Sequence, residues 1–171
     1  MKKILLLVLA SFICGSAAAQ TNLYKKKVLI GEVKNDSFNF VVDTKDFLKA
    51  INKEFADGFD HMEIKTGETT GLRTEKIYYL DITSSRNGAK MVRWLNNKDG
   101  KLYMVNTLSE KNQYKSYFTA CTGTGNCEPT LYIDNDFTAW ICGDKPVCLP
   151  EGQGKPNPNT CTRSITMLTR Y

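Results

Sequence analysis

The sequence predicts an α+β fold: one helix packed on an antiparallel β-sheet, followed by a disulfide-braced, loop-rich C-terminal segment. Three observations predict it. Short β-type runs separated by turn residues fill most of the chain from Val28 to Ala120. A single stretch, opening at Asp43, has its apolar residues at helical spacing. Five of the six cysteines then fall between Cys121 and Cys161, among prolines and glycines.

Val28–Val33 and Phe38–Val42 are the first two β-type runs, joined by the turn residues Lys34-Asn35-Asp36-Ser37. Asp43-Thr44 offers a helix N-cap, and Asp46 in the first turn suits the helix dipole. Phe47, Leu48, Ile51 and Phe55 form one apolar stripe, and Gly58 is placed to stop the helix. From His61 onward the pattern is that of an antiparallel meander. Ile77–Ile82 is a β run, Asn87-Gly88 a hairpin signal, and Met91–Leu95 the returning strand. A turn over Asn96-Asn97-Lys98-Asp99-Gly100 leads to Leu102–Val105, and Tyr114–Ala120 reads as a further strand. In the tail, Leu131–Ile133 and Phe137–Cys142 form a hairpin around Asp134-Asn135-Asp136, and Ser164–Leu168 returns as a last strand.

The cysteine spacing is C-x5-C, a gap, C-x5-C, a gap, C. The pairs Cys121/Cys127 and Cys142/Cys148 suggest two small closed loops, while crossed pairing, such as Cys121 with Cys142, is equally allowed. An odd number leaves one thiol outside intrachain pairing, most simply a buried Cys161. The disulfide candidates are therefore Cys121, Cys127, Cys142, Cys148 and Cys161.

Such a cluster belongs to an oxidising compartment, and the N-terminus agrees. Lys2 and Lys3, the apolar run Ile4–Ile13 and the small residues Ala17-Ala18-Ala19 read as a signal peptide over residues 1–19, with Gln20 as the first mature residue. The apolar run is about half the ~20 residues a spanning helix needs, so no transmembrane segment is expected. Ser11, Phe12 and Ile13 ahead of Cys14 do not make a lipobox, which argues against a lipid anchor there. Residues 20–171 are then a single domain, with 121–171 a Cys/Pro/Gly-rich subregion. The leader, with its alanine-rich end closing on Gln20, together with the Cys-rich tail, resembles small exported proteins of the Bacteroidota. That resemblance implies export, to the periplasm or outside the cell, and identifies no activity.

The 23 Lys and Arg against 18 Asp and Glu give a net charge of +5, and Lys2 and Lys3 leave with the leader. Lys25-Lys26-Lys27 runs straight into Val28-Leu29-Ile30 and reads as a strand entrance; with export, nucleic acid is not an expected partner. His61 is the only histidine and lies in an ordinary alternating stretch, so Ser-His-Asp or Cys-His machinery has no good home. No G-x-S-x-G, H-E-x-x-H or C-x-x-C occurs. Gly123-Thr124-Gly125 lacks the following helix that a phosphate loop needs. Asp134-Asn135-Asp136 with Asp144 offers oxygen ligands to Ca²⁺ but reads better as a turn. Trp94 and Trp140 suit a sheet core or a binding face.

No catalytic residue, metal ligand or cofactor is assigned on this pattern. The expected function is a non-enzymatic, exported binding or envelope-associated module for a protein or envelope component, a periplasmic inhibitor being one concrete form. The Gly152–Asn159 loop is the first suspected contact region. One helix on an antiparallel sheet also resembles the cystatin architecture, but no Q-x-V-x-G is present to carry over inhibition. The alternative is a small secreted hydrolase acting on glycan or peptidoglycan through carboxylates brought together from distant parts of the chain.

Overall fold

The computed structural model describes residues 22–35, 37–107, 112–123, 127–135, 137–143 and 161–167. Strands take up 55% of these residues and helices 13%. Eight strands form a curled antiparallel sheet: β1 (Lys27–Lys34), β2 (Ser37–Phe40), β3 (His61–Glu68), β5 (Lys76–Thr83), β6 (Lys90–Lys98), β7 (Lys101–Val105), β8 (Phe118–Gly123) and β11 (Cys161–Thr166). A second sheet holds β4 (Thr70–Gly71), β9 (Pro129–Ile133) and β10 (Thr138–Cys142), in the order β10-β9-β4. The helices are α1 (Thr44–Glu54) and α2 (Gln113–Ser116).

This overturns the expectation of one helix packed on a sheet, and with it the likeness to the cystatin architecture. The physical reason lies in the core. The curled sheet buries its own inner face, formed by residues such as Ile30, Leu80, Ile82, Met91, Leu102 and Met104. Only Phe47 and Ile51 of α1 are buried in that core. The outer face of β5 and β6 is covered instead by the small sheet, where Ile77 and Val92 meet Leu131 and Trp140.

Strand β6 is the branch point of the large sheet. It pairs with β5 along Lys90–Leu95, with β8 along Lys90–Val92 and with β7 along Asn96–Lys98. The β6–β7 turn is shorter than the expected five residues. Lys98 stands opposite Lys101, leaving Asp99 (φ 55°) and Gly100 (φ 78°) as its two central residues. Two left-handed residues in succession match the right-handed twist of the flanking strands, which lets β6 extend through Asn97 and Lys98.

Helix α1 starts as expected, with the Asp43 carboxylate accepting from the backbone N–H groups of Lys45 and Asp46 at 2.8 and 3.0 Å. It ends at Glu54, before the expected stop at Gly58. Phe55 leaves in extended conformation and packs edge-on against Phe59. The Asn52 side chain fastens this return, donating to the carbonyl of Phe59 and accepting from its N–H, each at 2.7 Å.

The expected strand over Tyr114–Ala120 is α2 for its first residues and β8 only from Phe118. A strand Leu131–Ile133 is extended back to Pro129, and the last strand runs from Cys161 to Thr166. The two bridges are crossed rather than closing two C-x5-C loops. Cys121 is bonded to Cys142, and Cys127 to Cys161, so the expectation of a buried Cys161 thiol is also overturned. Both bonds tie the small sheet to the β8–β11 edge of the large one. Cys148 lies outside the described residues.

Candidate functional site

Two places on the outer surface gather side chains that the fold alone does not require. The first is a charged cluster on β3 and β5. Glu63 stands opposite Asp81 in the ladder, and Lys65, one alternation along β3, reaches both. Its ammonium is 2.6 Å from Glu63 Oε1 and 2.5 Å from Asp81 Oδ2. Asp81 is buried, and its Oδ1 has no hydrogen-bond donor among the described residues. Burial alone would lower the Lys65 pKa, but the hydrogen bonds to Asp81 and Glu63 outweigh it and raise the ammonium above the usual lysine value. Tyr79, next on the same face, has its phenol pushed up by burial and then by the Asp81 charge. Its ring meets Trp140 edge-on, at 5.5 Å between centroids.

This is the pair of facing carboxylates that a glycan hydrolase would need. Chemically, however, each carboxylate already has the same cation as its close partner. An acid that protonates a leaving group and a base that activates water need a substrate between them, and here the Lys65 ammonium occupies that position.

The second place is the end of the small sheet. Residues Thr69–Glu75 form a tight loop. The buried Thr69 hydroxyl donates to the Arg73 carbonyl (2.9 Å) and accepts from the Glu75 N–H (2.8 Å), while Thr69 N–H donates to the Glu75 carbonyl (3.0 Å). Within this loop, β4 runs parallel to β9, with Thr70 opposite Tyr132 and Gly71 opposite Ile133. Leu72 N–H then donates to the Ile133 carbonyl at 2.9 Å. The loop is thereby fixed with Leu72 at 59% exposure.

Phe137, 47% exposed, sits at the same end of β9, because the Asp134 N–H donates to its carbonyl across the hairpin turn. Its ring lies 5.8 Å from that of Tyr132. Two exposed large apolar side chains and a half-buried tyrosine are thus gathered on a rim that two disulfides hold to the main sheet.

Gly71 makes the approach possible. Its φ is +98°, and a Cβ there would stand 2.1 Å from the Ile133 carbonyl oxygen. Replacing Gly71 by alanine is expected to cost about 2–3 kcal/mol through backbone strain and a lost β4–β9 pairing. Urea denaturation followed by tryptophan fluorescence would measure it, since Trp140 lies in the core beneath this sheet.

The residues singled out by sequence fall largely elsewhere. His61 is exposed at the start of β3, opposite Thr83. Trp140 is buried and donates through Nε1 to the Tyr114 carbonyl at 3.3 Å, and Trp94 is half-buried against Tyr114. Asp134 and Asn135 form the hairpin turn, Asn135 N–H donating to the Asp134 carboxylate at 2.7 Å. Asp136, Asp144 and the Gly152–Asn159 loop lie outside the described residues. Among the described residues no three His, Cys, Asp or Glu side chains are grouped as metal ligands would be, and no helix is long and apolar enough to cross a membrane.

Leu72 was missed by sequence reasoning, although a lone leucine after Gly71 in a polar stretch marks a turn with an apolar tip. The Glu63–Lys65–Asp81 cluster has no local sequence signal, because it depends on strand register. Comparison with protein-family models, with curated proteins and with solved structures finds no match to this chain.

Proposed function

We propose that this protein is an exported, non-enzymatic binding module of the cell envelope that recognises a protein or envelope component through the Leu72–Tyr132–Phe137 rim. The observation that carries the reading is the exposure of Leu72 and Phe137 on backbone that is hydrogen-bonded to β9 and the hairpin turn and braced by two disulfides. Large apolar side chains held rigidly in water suit recognition, because little conformational entropy remains to be lost on docking. Export is supported by the leader, by the two disulfides and by the resemblance to small Bacteroidota exported proteins. The rival hydrolase reading rests on Glu63 and Asp81, and both carboxylates are engaged by Lys65.

A photo-crosslinking residue at Phe137, in the oxidised full-length protein expressed in a host that exports it, is expected to give one discrete adduct. The same group at Lys45 on α1 should give none. Leu72→Ser is expected to abolish the adduct while changing stability by no more than about 0.5 kcal/mol, as surface substitutions usually do. Equal labelling from both positions, or an adduct indifferent to Leu72, would remove the rim as a recognition surface.

A further inference from the structure

Beyond the covering small sheet, the outer face of the large sheet carries cations that form no ion pair among the described residues. Lys98 of β6 stands directly opposite Lys101 of β7, beside the tight turn. Tyr103 lies two residues beyond Lys101 on the same side, and the Lys27 ammonium of β1 sits over its ring at 3.8 Å. Trp94, on the same side of β6 as Lys98, has the Lys115 ammonium 5.4 Å from its ring. Among the described residues no acid is in ion-pair contact with any of these four lysines. The acids nearest in the ladder are Glu32, opposite Lys101, and Asp99 in the turn.

Like charges directly opposite across two strands are destabilising. Lys98 and Lys101 have no ion-pair partner among the described residues to offset that repulsion. The two lysines on aromatic rings are, by contrast, held in place by cation–π attraction. Neighbouring strands are about 4.8 Å apart, so Lys98 and Lys101 set out two ammonium groups at a spacing comparable to the length of a sugar residue, and Lys27, opposite Val105, stands further along the strands beyond Tyr103. The surface is an open sheet face, suited to an extended chain rather than to a compact ligand.

We propose that this face binds a linear acidic polysaccharide, with its carboxylate or sulfate groups on Lys27, Lys98 and Lys101 and its sugar rings against the exposed parts of Tyr103 and Trp94. Two other polyanions fit less well. A membrane surface would be expected to draw in apolar side chains, yet the exposed Leu72 and Phe137 belong to the end of the small sheet, and the exposed Ile165 lies on β11, separated from β7 by β8 and β6. Nucleic acid is not the usual polyanion of the oxidising compartments in which disulfides persist. The proposal is independent of the Leu72–Tyr132–Phe137 rim.

The test is affinity electrophoresis of the oxidised full-length protein through gels containing polygalacturonate, dextran sulfate or neutral dextran, at about 50 and 300 mM salt. Retardation is expected with at least one of the two acidic polymers, weaker at the higher salt, and absent with neutral dextran. Lys27→Gln/Lys98→Gln/Lys101→Gln should weaken binding about tenfold. Lys45→Gln/Lys49→Gln on the exposed side of α1 removes nearly as much charge and should leave it unchanged, as should Phe137→Ser. The Gln variants keep the length of the side chains, and circular dichroism checks that each is folded. No retardation by either acidic polymer would overturn the proposal. Equal losses in the sheet-face and α1 variants would also overturn it, reducing the effect to net charge. So would duplex DNA bound as tightly as the acidic polymers.

Discussion

Replacing Arg93 by alanine is expected to destabilise the protein by about 3–5 kcal/mol, the cost of leaving buried polar groups without their charged partner. Arg93 is fully buried in β6, on the same face as Met91 and Leu95. It has no carboxylate partner among the described residues. Its guanidinium donates instead to the carbonyls of Lys115 and Val105, each at 2.7 Å, and to Asn106 Oδ1 at 2.9 Å. The Asn106 amide passes the connection on, donating to the carbonyls of Leu23 and Lys25. Phe118 packs beneath the charge, 5.2 Å from ring centre to guanidinium carbon.

These acceptors mark the gap between the β8 ladder, which leaves β6 at Val92, and the β7 ladder, which begins at Asn96. Arg93 therefore joins with its side chain what the backbone leaves unpaired. Burial pulls the guanidinium down to about 9, which still leaves it charged at neutral pH. Arg93→Lys should recover only part of the loss, because one ammonium cannot reproduce the planar fork that reaches three acceptors. Urea denaturation of the three proteins measures this. Alanine and wild-type midpoints that coincide would show that water serves the same carbonyls equally well.

The second large effect is expected at the bridge between the two sheets. Cys121→Ala/Cys142→Ala should cost about 3 kcal/mol from the closed-loop term alone, since the bond joins residues 21 apart in sequence. Cys121 is also fully buried, so its sulfur leaves a void when removed. The loss should be felt where Leu131 and Trp140 cover Ile77 and Val92, because that bond and its neighbour hold the covering sheet down. Trp140 fluorescence and amide exchange on β9 and β10 should change before those on β5. A uniform change across both sheets would instead mean that the pair acts only through the unfolded chain.

Much of the strand pattern was legible because it is local. β1 and β7 keep a buried residue at nearly every second position, and Asp43 announces the start of α1. The overall class was not legible, for a physical reason visible in β6. Its residues Met91, Val92 and Arg93 are all buried, since each face of that strand has a cover. Where both faces are covered, alternation no longer tells inside from outside. The same pattern did hold the clue to Arg93: period two places it with Met91 and Leu95, facing the core.

What depended on distant pairing could not be read. The β4–β9 contact is two residues long and parallel, and it joins segments some sixty positions apart, so the role of Leu72 was invisible. The crossed disulfides follow from the same cause. β8 lies beside β11, and β10 packs over them, which brings Cys121 to Cys142 and Cys127 to Cys161 in preference to nearer neighbours. The charged cluster at Glu63, Lys65 and Asp81 likewise exists only once β3 and β5 are in register.

The order of those four cysteines has one more consequence. Two precede β9 and two come after the β9–β10 turn, Cys142 as the last residue of β10, so each bond independently spans every peptide link from Glu128 to Ile141. An extracellular protease that clips the exposed turn near Phe137 would sever the chain without releasing either piece. The rim can therefore be nicked in place and remain on the molecule until a reductant arrives.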